Sequence, residues 1–238
     1  MSVLPYPDRR RPVRRRLDRP RVVAAALRLL DRVGLDALTM RRLADELGVT
    51  AASLYRHVRD KDELLVLLAD EISAQVPTMA EDVPWQDAFV QAAVAVRRLL
   101  LSHRDAARLL ASVRPAGVHR LRHIEVVLRR LTEAGFGDRE AAWAAYTFNN
   151  FVTEFVADEV RVAGEAAAAG CSPRELLAQA RAQLRALPAA EFPTLTRLAD
   201  YVASDDAEAQ FAFGLQLWLR GLESLQPARR YFRHQQPS

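Results

Sequence analysis

The sequence predicts an all-α fold of two domains, and three observations support this prediction. Apolar residues recur at spacings of three and four along most of the chain, and alternating runs of β-branched residues are absent. Gly, Pro and short polar clusters divide the chain into about nine or ten helical segments. At 238 residues and 50% hydrophobic composition, the chain is long enough for one small and one medium domain.

The first segments form a small N-terminal unit, predicted over residues 18–66. Residues 1–17 precede it, and they combine three Pro with six Arg, which predicts a disordered arm without an apolar face. The first helix then begins with Asp18 as its N-cap and ends at Gly34. Three further helices are predicted over residues 39–47, 50–57 and 60–76.

The larger second domain is predicted over residues 67–224, followed by a flexible tail at 225–238. One predicted helix lies within 84–105, and a short segment that ends at residue 112 follows it. The other predicted helices lie at 118–134, 138–160, 173–186, 194–202 and 205–224. The region 163–193 contains Pro173, Pro188 and Pro193, so we expect only the helix at 173–186 there.

Composition excludes several classes of protein. No apolar run reaches the roughly 18 residues that a membrane span needs, and charge interrupts the leading apolar run too early for a signal peptide. These features predict a cytoplasmic protein without a membrane partner. Cys171 is the only cysteine, which excludes an intrachain disulfide and a thiolate metal site. We therefore predict neither a cofactor nor a metal.

The chain also lacks the motifs of common enzymes. It contains no Gly-rich phosphate loop and no nucleophile elbow. His119 and His123 have the spacing of metal ligands on a helix, but no Cys or carboxylate completes the set. We predict that the protein is not an enzyme. A helical enzyme that uses a cavity in the second domain is the alternative from another functional class.

The stretch MRRLADELGVTAASLYRHV, which begins at residue 40, has the pattern of a helix-turn-helix. Its inward positions are apolar, Gly48 supplies the turn and Thr50 can cap the second helix. Ala51, Ala52 and Ser53 follow and are small, so the start of that helix can approach the floor of a DNA major groove. An αα-hairpin that merely packs is the structural alternative.

Charge favours a nucleic-acid partner at the same end of the chain. Residues 1–66 carry 15 Arg and Lys against 9 Asp and Glu, a net +6, although the whole chain carries only +4. Local basicity of this kind is typical of a module that binds a polyanion, because neutralising phosphates releases condensed counterions. A merely solvated basic surface is the alternative.

On these residues the chain resembles TetR-type transcriptional regulators. The run RVVAAALRLLDRVGLDALTMRRLADELGVTAASLYRHVRDKDELL is similar to their DNA-binding domain, and LTEAGFGDREAAWAAYTFNNFVTEFVADE and FAFGLQLWLRGLE resemble the C-terminal domain of the tetracycline-repressor branch. The resemblance covers residues 18–224. It implies a helix-turn-helix DNA-binding domain, a larger ligand-binding and dimerisation domain, and repression that ligand binding relieves.

The resemblance also implies which residues contact DNA. The expected contacts are Thr39, Met40, Arg41, Thr50, Ala51, Ala52, Ser53, Tyr55, Arg56, His57 and Lys61. Ala51 and Ala52 replace the Gln and Pro of the tetracycline repressor, so the operator should differ. Basic residues of the arm, including Arg14, Arg15 and Arg16, are expected to enter the adjacent minor groove, with a solvated tail as the alternative.

The expected ligand pocket departs most from the family's founding branch. Ala92, Leu110 and Val127 stand where the tetracycline repressor has polar drug contacts, and a fourth such position falls near Pro77. Burying the polar groups of tetracycline against these side chains would leave them unpaired, so we expect a mostly apolar, fused-ring inducer instead. The complete expected pocket set is Ala92, Val96, Leu110, Val113, Arg114, Val127, Asn150, Phe151 and Glu154, with Asn149 and Thr153 as further polar candidates.

Two apolar helix faces are candidates for the dimer surface. One contains Phe211, Gly214, Leu215, Trp218 and Leu222, and the other contains Phe148, Phe151, Val152, Phe155 and Val156. Their spacing fits either an intersubunit four-helix bundle or core within one subunit, and the resemblance favours the bundle. The predicted function is a homodimeric, ligand-responsive repressor of a pseudo-palindromic operator, responding to an antibiotic or a polyketide-like compound. A ligand-independent DNA-binding regulator is the alternative.

Overall fold

The computed structural model describes residues 17–226, and within that part the secondary structure is α-helical without strands. The disordered arm and most of the tail predicted from the sequence lie outside these residues. None of the helices in the described part is both long enough and apolar enough to cross a membrane. Twelve helices are present there: α1 (Arg19–Val33), α2 (Met40–Leu47), α3 (Ala51–Leu54), α4 (Lys61–Ser73), α5 (Trp85–Ser102), α6 (Ala106–Ser112), α7 (Val118–Glu133), α8 (Asp138–Ala168), α9 (Pro173–Arg185), α10 (Pro193–Arg197), α11 (Ala199–Val202) and α12 (Ala207–Leu225).

The boundaries of α1 and α9 agree closely with the predicted ones because local capping signals set them. The carboxylate of Asp18 accepts the N–H of Arg21 at 3.0 Å, and Gly34 ends α1 with a φ of 81°. At α9, Ser172 and Glu175 form a reciprocal capping box. Such signals lie within four residues of each helix end and can be identified in the sequence.

Two other boundaries differ from the predictions. The helix predicted to end at residue 160 continues to Ala168, because Arg161 pairs with Asp158 one turn before it and with Glu165 one turn after it. The single helix predicted over 194–202 is instead the pair α10 and α11, interrupted where Leu198 adopts φ −98° and ψ 9°.

The N-terminal helices α1 to α4 enclose a core that continues into the second domain. Val22, Leu30, Leu43 and Leu54 are fully buried there. Leu109 of α6 belongs to the same hydrophobic cluster. Helix α4 contacts α6, so the N-terminal unit packs against the larger domain rather than standing apart from it.

The aromatic faces of α8 and α12 pack against each other within the chain. The ring centroids of Phe151 and Phe211 are 5.3 Å apart and stacked, and those of Phe148 and Trp218 are 5.0 Å apart. Trp218 also donates its Nε1–H to Thr147 Oγ1 at 3.1 Å. These faces form intrasubunit core, so their assignment to an intersubunit bundle is wrong. Each face is complementary to the other and leaves no room for a partner between them.

The contact between α8 and α12 predicts the effect of a single methyl group. A Cβ on Gly214 would lie 2.4 Å from Cε2 of Phe151, a ring already stacked on Phe211. We expect Gly214→Ala to lower the free energy of unfolding by about 1–3 kcal/mol, measured by urea denaturation at fixed protein concentration. Gly164→Ala is the matched control. A Cβ there meets nothing within 4 Å, so that variant should gain about 0.5–1 kcal/mol from helix propensity. Equal stabilities for the two variants would contradict the packing argument.

Candidate nucleic-acid interface and ligand cavity

The turn between α2 and α3 is fixed by backbone conformation and by capping. Gly48 adopts a φ of 62°, in the left-handed region that glycine enters without strain, and its N–H donates to the carbonyl of Asp45 at 3.1 Å. Thr50 then caps α3 by accepting the N–H of Ser53 at 3.2 Å. Because Leu43 and Leu54 are fully buried, the two helices keep a fixed relation. This is the helix-turn-helix geometry that the sequence predicts.

Among the described residues, the exposed face of the helix-turn-helix carries small side chains and arginines with few or no hydrogen bonds. Ala51 and Ala52 are exposed at the first turn of α3, so a ligand can approach the backbone closely. The guanidinium of Arg56 donates to Ser53 Oγ at 3.1 Å. Within residues 17–226, the side chain of Arg41 makes no hydrogen bond or ion pair. The face can therefore present a free guanidinium and a close backbone approach to a groove.

In the described part of the chain, the predicted DNA contacts are exposed or partly exposed, and one helix boundary differs from the prediction. The predicted third helix ends at Leu54 instead of residue 57, because the N–H of His57 donates to Leu54 in a tighter i−3 pattern. Tyr55, Arg56 and His57 consequently lie on a turn after the helix. Thr39, Arg41, Thr50, Ala51, Ala52, Tyr55 and Arg56 are exposed, and Met40, Ser53, His57 and Lys61 are partly exposed. Arg14, Arg15 and Arg16 lie outside the described residues.

A cavity of about 340 Å³ lies in the second domain, and its wall is mostly apolar. Helices α4 to α8 and the segments next to them contribute its lining. The lining side chains are Ser73, Val76, Pro77, Met79, Ala92, Val96, Leu110, Pro115, Arg120, His123, Ile124, Val127, Leu128, Ala142, Ala145, Tyr146, Phe148, Asn149, Val152 and Thr153. No Asp or Glu is among them, so Arg120 supplies the one formal charge of this wall at neutral pH.

Four of the nine expected pocket residues line this cavity, namely Ala92, Val96, Leu110 and Val127, together with the polar candidates Asn149 and Thr153. The other five do not line it, and this corrects the sequence-based set. Asn150 and Phe151 lie on α8 one and two positions after Asn149, so the helical period rotates them away from the cavity, and Glu154 is exposed. Val113 packs against the N-terminal core, and Arg114 is exposed.

Arg120 is the charged cavity residue that the sequence analysis missed. Its two terminal nitrogens donate to the carbonyl of Leu110 in the last turn of α6 at 2.7 Å and to that of Val113, directly after the helix, at 3.1 Å. Burial lowers the pKa of this guanidinium, and the negative charge of nearby Asp70 opposes the shift. Counting back from Val127 in steps of three and four along α7 would have identified position 120 from the sequence.

His123 is another cavity residue that the sequence analysis missed. His123 lines the cavity, and burial lowers the pKa of its imidazole, which favours the neutral ring. His119 is exposed, and its backbone N–H donates to the carboxylate of Asp70 at 2.8 Å. Among residues 17–226, no group of three potential metal ligands exists.

Helix α6 connects the cavity with the helix-turn-helix domain. At its N-terminal end, the carboxylate of Asp105 accepts the N–H of Leu35 at 2.8 Å, and Arg108 forms two hydrogen bonds with Asp36. At its C-terminal end, Leu110 lines the cavity and its carbonyl holds Arg120. Contacts with the DNA-binding unit and with the cavity therefore lie at the two ends of one helix of seven residues.

Comparisons with known proteins agree with this architecture. Residues 22–68 match the family described as bacterial regulatory proteins of the tetR family, and residues 77–226 match the tetracyclin repressor-like C-terminal domain. The chain belongs to the TetR family. The tetracycline repressor protein class D of Escherichia coli is 33% identical to this TetR-family chain over 213 residues, which cover 87% of the chain and 90% of that relative.

Solved structures of TetR-family proteins have the same fold. ActR of Streptomyces coelicolor in complex with actinorhodin aligns with a TM-score of 0.79 and 34% identity, covering 89% of this chain and 98% of ActR. BioQ with its natural double-stranded DNA operator aligns with a TM-score of 0.63 and 30% identity, covering 88% of this chain and 99% of BioQ. The chain is thus a TetR-family DNA-binding regulator with a ligand-binding type of C-terminal domain.

The exposed face predicts different effects for two basic residues. Arg41→Ala should cost about 1–3 kcal/mol of operator affinity and relax base preference, because its unpaired planar guanidinium suits a guanine edge. Lys61→Ala should weaken binding to all sequences alike and reduce the salt slope by about one, as expected for a phosphate contact.

Fluorescence anisotropy with an operator selected from random duplex DNA, at several salt concentrations, measures both effects. Arg197→Ala, an exposed arginine on α10, is the control and should bind normally. If Arg41→Ala and Arg197→Ala bind equally well, the assignment of Arg41 to the interface is wrong.

Proposed function

We propose that the protein is a homodimeric, cytoplasmic repressor that a mostly apolar, fused-ring compound releases from a pseudo-palindromic operator. The observation that carries the proposal is an apolar cavity linked through α6 to the helix-turn-helix domain. Control of a response to an antibiotic or a polyketide-like compound is the biological setting that this combination favours.

The lining of the cavity supports an apolar ring compound as the inducer. Ala92, Leu110 and Val127 all contribute to the wall, so no hydrogen-bond donor or acceptor side chain stands at these positions. Tetracycline would lose hydrogen bonds with water there at a cost of about 1–3 kcal/mol for each unpaired group. Support also comes from ActR, a relative of similar fold whose structure contains actinorhodin.

Release from DNA follows from the position of α6. Leu110 contacts the cavity, and Asp105 and Arg108 hold the loop after α1. A ligand that displaces the C-terminal end of α6 also moves these contacts, because packed helices shift as units. The helix-turn-helix domain then changes its position relative to the larger domain. In a two-fold dimer this alters the spacing of the two recognition surfaces, which must match half-sites about 34–36 Å apart.

The dimer surface that we propose is the outer face of α8 and α12, opposite the aromatic packing between them. Phe213 and Leu217 lie one turn apart on α12 and are 63% and 57% exposed, and Trp143 on α8 is 64% exposed. Large apolar side chains with this exposure, grouped on two adjacent helices, are typical of an interaction surface. A second copy of the chain would bury them in a four-helix bundle.

Ligand binding is tested by thermal shift and by operator release. We expect anthraquinone-2-carboxamide to stabilise the protein, by about 2.7 kcal/mol at 100 times its Kd, and to release the operator, whereas tetracycline with Mg²⁺ does neither. Ala92→Phe should abolish both responses because it fills the cavity, and Ala178→Phe on the exposed face of α9 should preserve them. Stabilisation by tetracycline would refute the pocket argument. Operator binding that ignores every ring compound would favour a ligand-independent regulator.

Sedimentation equilibrium tests the dimer surface. Leu217→Arg should shift the protein towards a monomer and weaken operator binding, because it places an unpaired charge in an apolar interface. Leu121→Arg on α7 is the control, since Leu121 is 50% exposed but lies on neither proposed interface helix. A dimer that withstands Leu217→Arg would exclude this face.

A further inference from the structure

The charge of Arg120 in the cavity wall is not balanced by a carboxylate of the same wall. The twenty lining residues include no Asp or Glu. Among residues 17–226, Arg120 forms no ion pair, in contrast to Arg97, whose guanidinium is held by Glu159 and Glu208. The chain thus pairs one partly buried guanidinium with two carboxylates and leaves another, in the cavity, with none.

Asp70 supplies negative charge near Arg120, and its carboxylate already accepts two backbone hydrogen bonds. Its Oδ1 accepts the backbone N–H groups of His119 and Arg120 at 2.8 and 2.9 Å, where α7 begins. This arrangement caps the helix and stabilises its N-terminus. A Cβ on Gly117 would lie within 2.1 Å of the same carboxylate, so the loop before α7 keeps Asp70 in place. Asp70 therefore reduces the positive potential at Arg120 without filling its hydrogen-bonding sites.

The guanidinium of Arg120 has donors to spare. It carries five N–H groups, of which two are used by the carbonyls of Leu110 and Val113. The remaining donors belong to a side chain that lines the cavity. Planar guanidinium groups bind carboxylates with two parallel hydrogen bonds, and partial burial strengthens this attraction.

Neutral polar groups accompany this cation. His123 follows Arg120 by three residues on α7, so both lie on one face of the helix, and Asn149 contributes from α8. Neither the imidazole of His123 nor the side-chain amide of Asn149 forms a hydrogen bond within the described part of the chain. The cavity thus combines an apolar wall with one cation and with neutral polar groups, among them the side chains of His123 and Asn149 without hydrogen bonds to residues 17–226.

We propose that the inducer carries a carboxylate on its ring system and that Arg120 binds it. This inference rests on the proposed function, because it assumes that the cavity is the inducer site. The ligand is then an acid, and Arg120 is the residue that selects it. Because the same guanidinium holds the C-terminal carbonyls of α6, a bound carboxylate acts on α6 directly.

The test compares two ligands of nearly equal shape. Anthraquinone-2-carboxylic acid and anthraquinone-2-carboxamide differ in charge, and their Kd values are measured by isothermal titration calorimetry on the full-length protein. We expect the wild type to prefer the acid by about tenfold or more, as a charge-assisted hydrogen bond provides. Arg120→Gln keeps a donor for an α6 carbonyl but removes the charge, so it should lose the preference and keep the amide's Kd within about threefold.

Two controls separate recognition of the acid from structural support of α6. Arg120→Lys keeps the charge and should retain a preference for the acid even if its stability falls. Arg122→Gln changes an exposed arginine of α7 outside the cavity lining and should behave as the wild type. Should Arg120→Gln fail to fold, the wild-type and Arg120→Lys preferences still decide the matter.

The outcomes distinguish this inference from the proposed function. Equal affinity of the wild type for acid and amide, or an acid preference that persists in Arg120→Gln, overturns the role of Arg120 and leaves the ring-binding cavity intact. Failure of both compounds to bind the wild type overturns the inference together with the proposed ring pocket. A preference for the acid that is lost only in Arg120→Gln supports it.

Discussion

The attachment of α6 to the end of α1 is the constraint on which the functional architecture depends. Asp105 adopts a φ of 58°, a left-handed conformation that costs energy for a residue with a Cβ, and its carboxylate accepts the N–H of Leu35. The backbone N–H of Arg104 adds a bond to Asp31 at 3.2 Å, and His103 Nδ1 lies 3.1 Å from the same carboxylate. These polar contacts fix the position of the DNA-binding unit relative to the cavity.

The two ends of the molecule differ in the kind of interaction that defines them. At the helix-turn-helix, function requires exposed groups, and burial of Leu43 and Leu54 orients them. In the cavity, function requires a gap, which remains because α5, α7 and α8 present small or branched side chains such as Ala92, Val127 and Ala145. Nearby, the rings of Phe151 and Phe211 stack between α8 and α12. Phe148 borders both regions, since it lines the cavity and packs against Trp218.

The sequence predicted local features well and relations between distant helices less well. The turn at Gly48 and the cap at Thr50 depend on adjacent residues, and the structure has both. Which helix faces which depends on packing partners far apart in the chain, so the α8 stripe was assigned to the wrong neighbour. Asn150 and Phe151 were misplaced for the same reason, because one position along a helix rotates a side chain by about 100°. Arg120 was missed because a charged residue does not stand out within an apolar periodic pattern.

Because α6 is short, the ligand preference of this protein can change without a change in its DNA-binding surface. Its seven residues span about 10 Å, and one of them, Leu110, contributes a side chain to the cavity. Most of the cavity wall comes from α5, α7 and α8. Substitutions on α5, α7 and α8 can therefore exchange one chemical signal for another while the mechanical link and the DNA surface stay the same. Ligand preference and operator preference are thus separately adjustable, which makes the chain a suitable starting point for biosensors with new specificities.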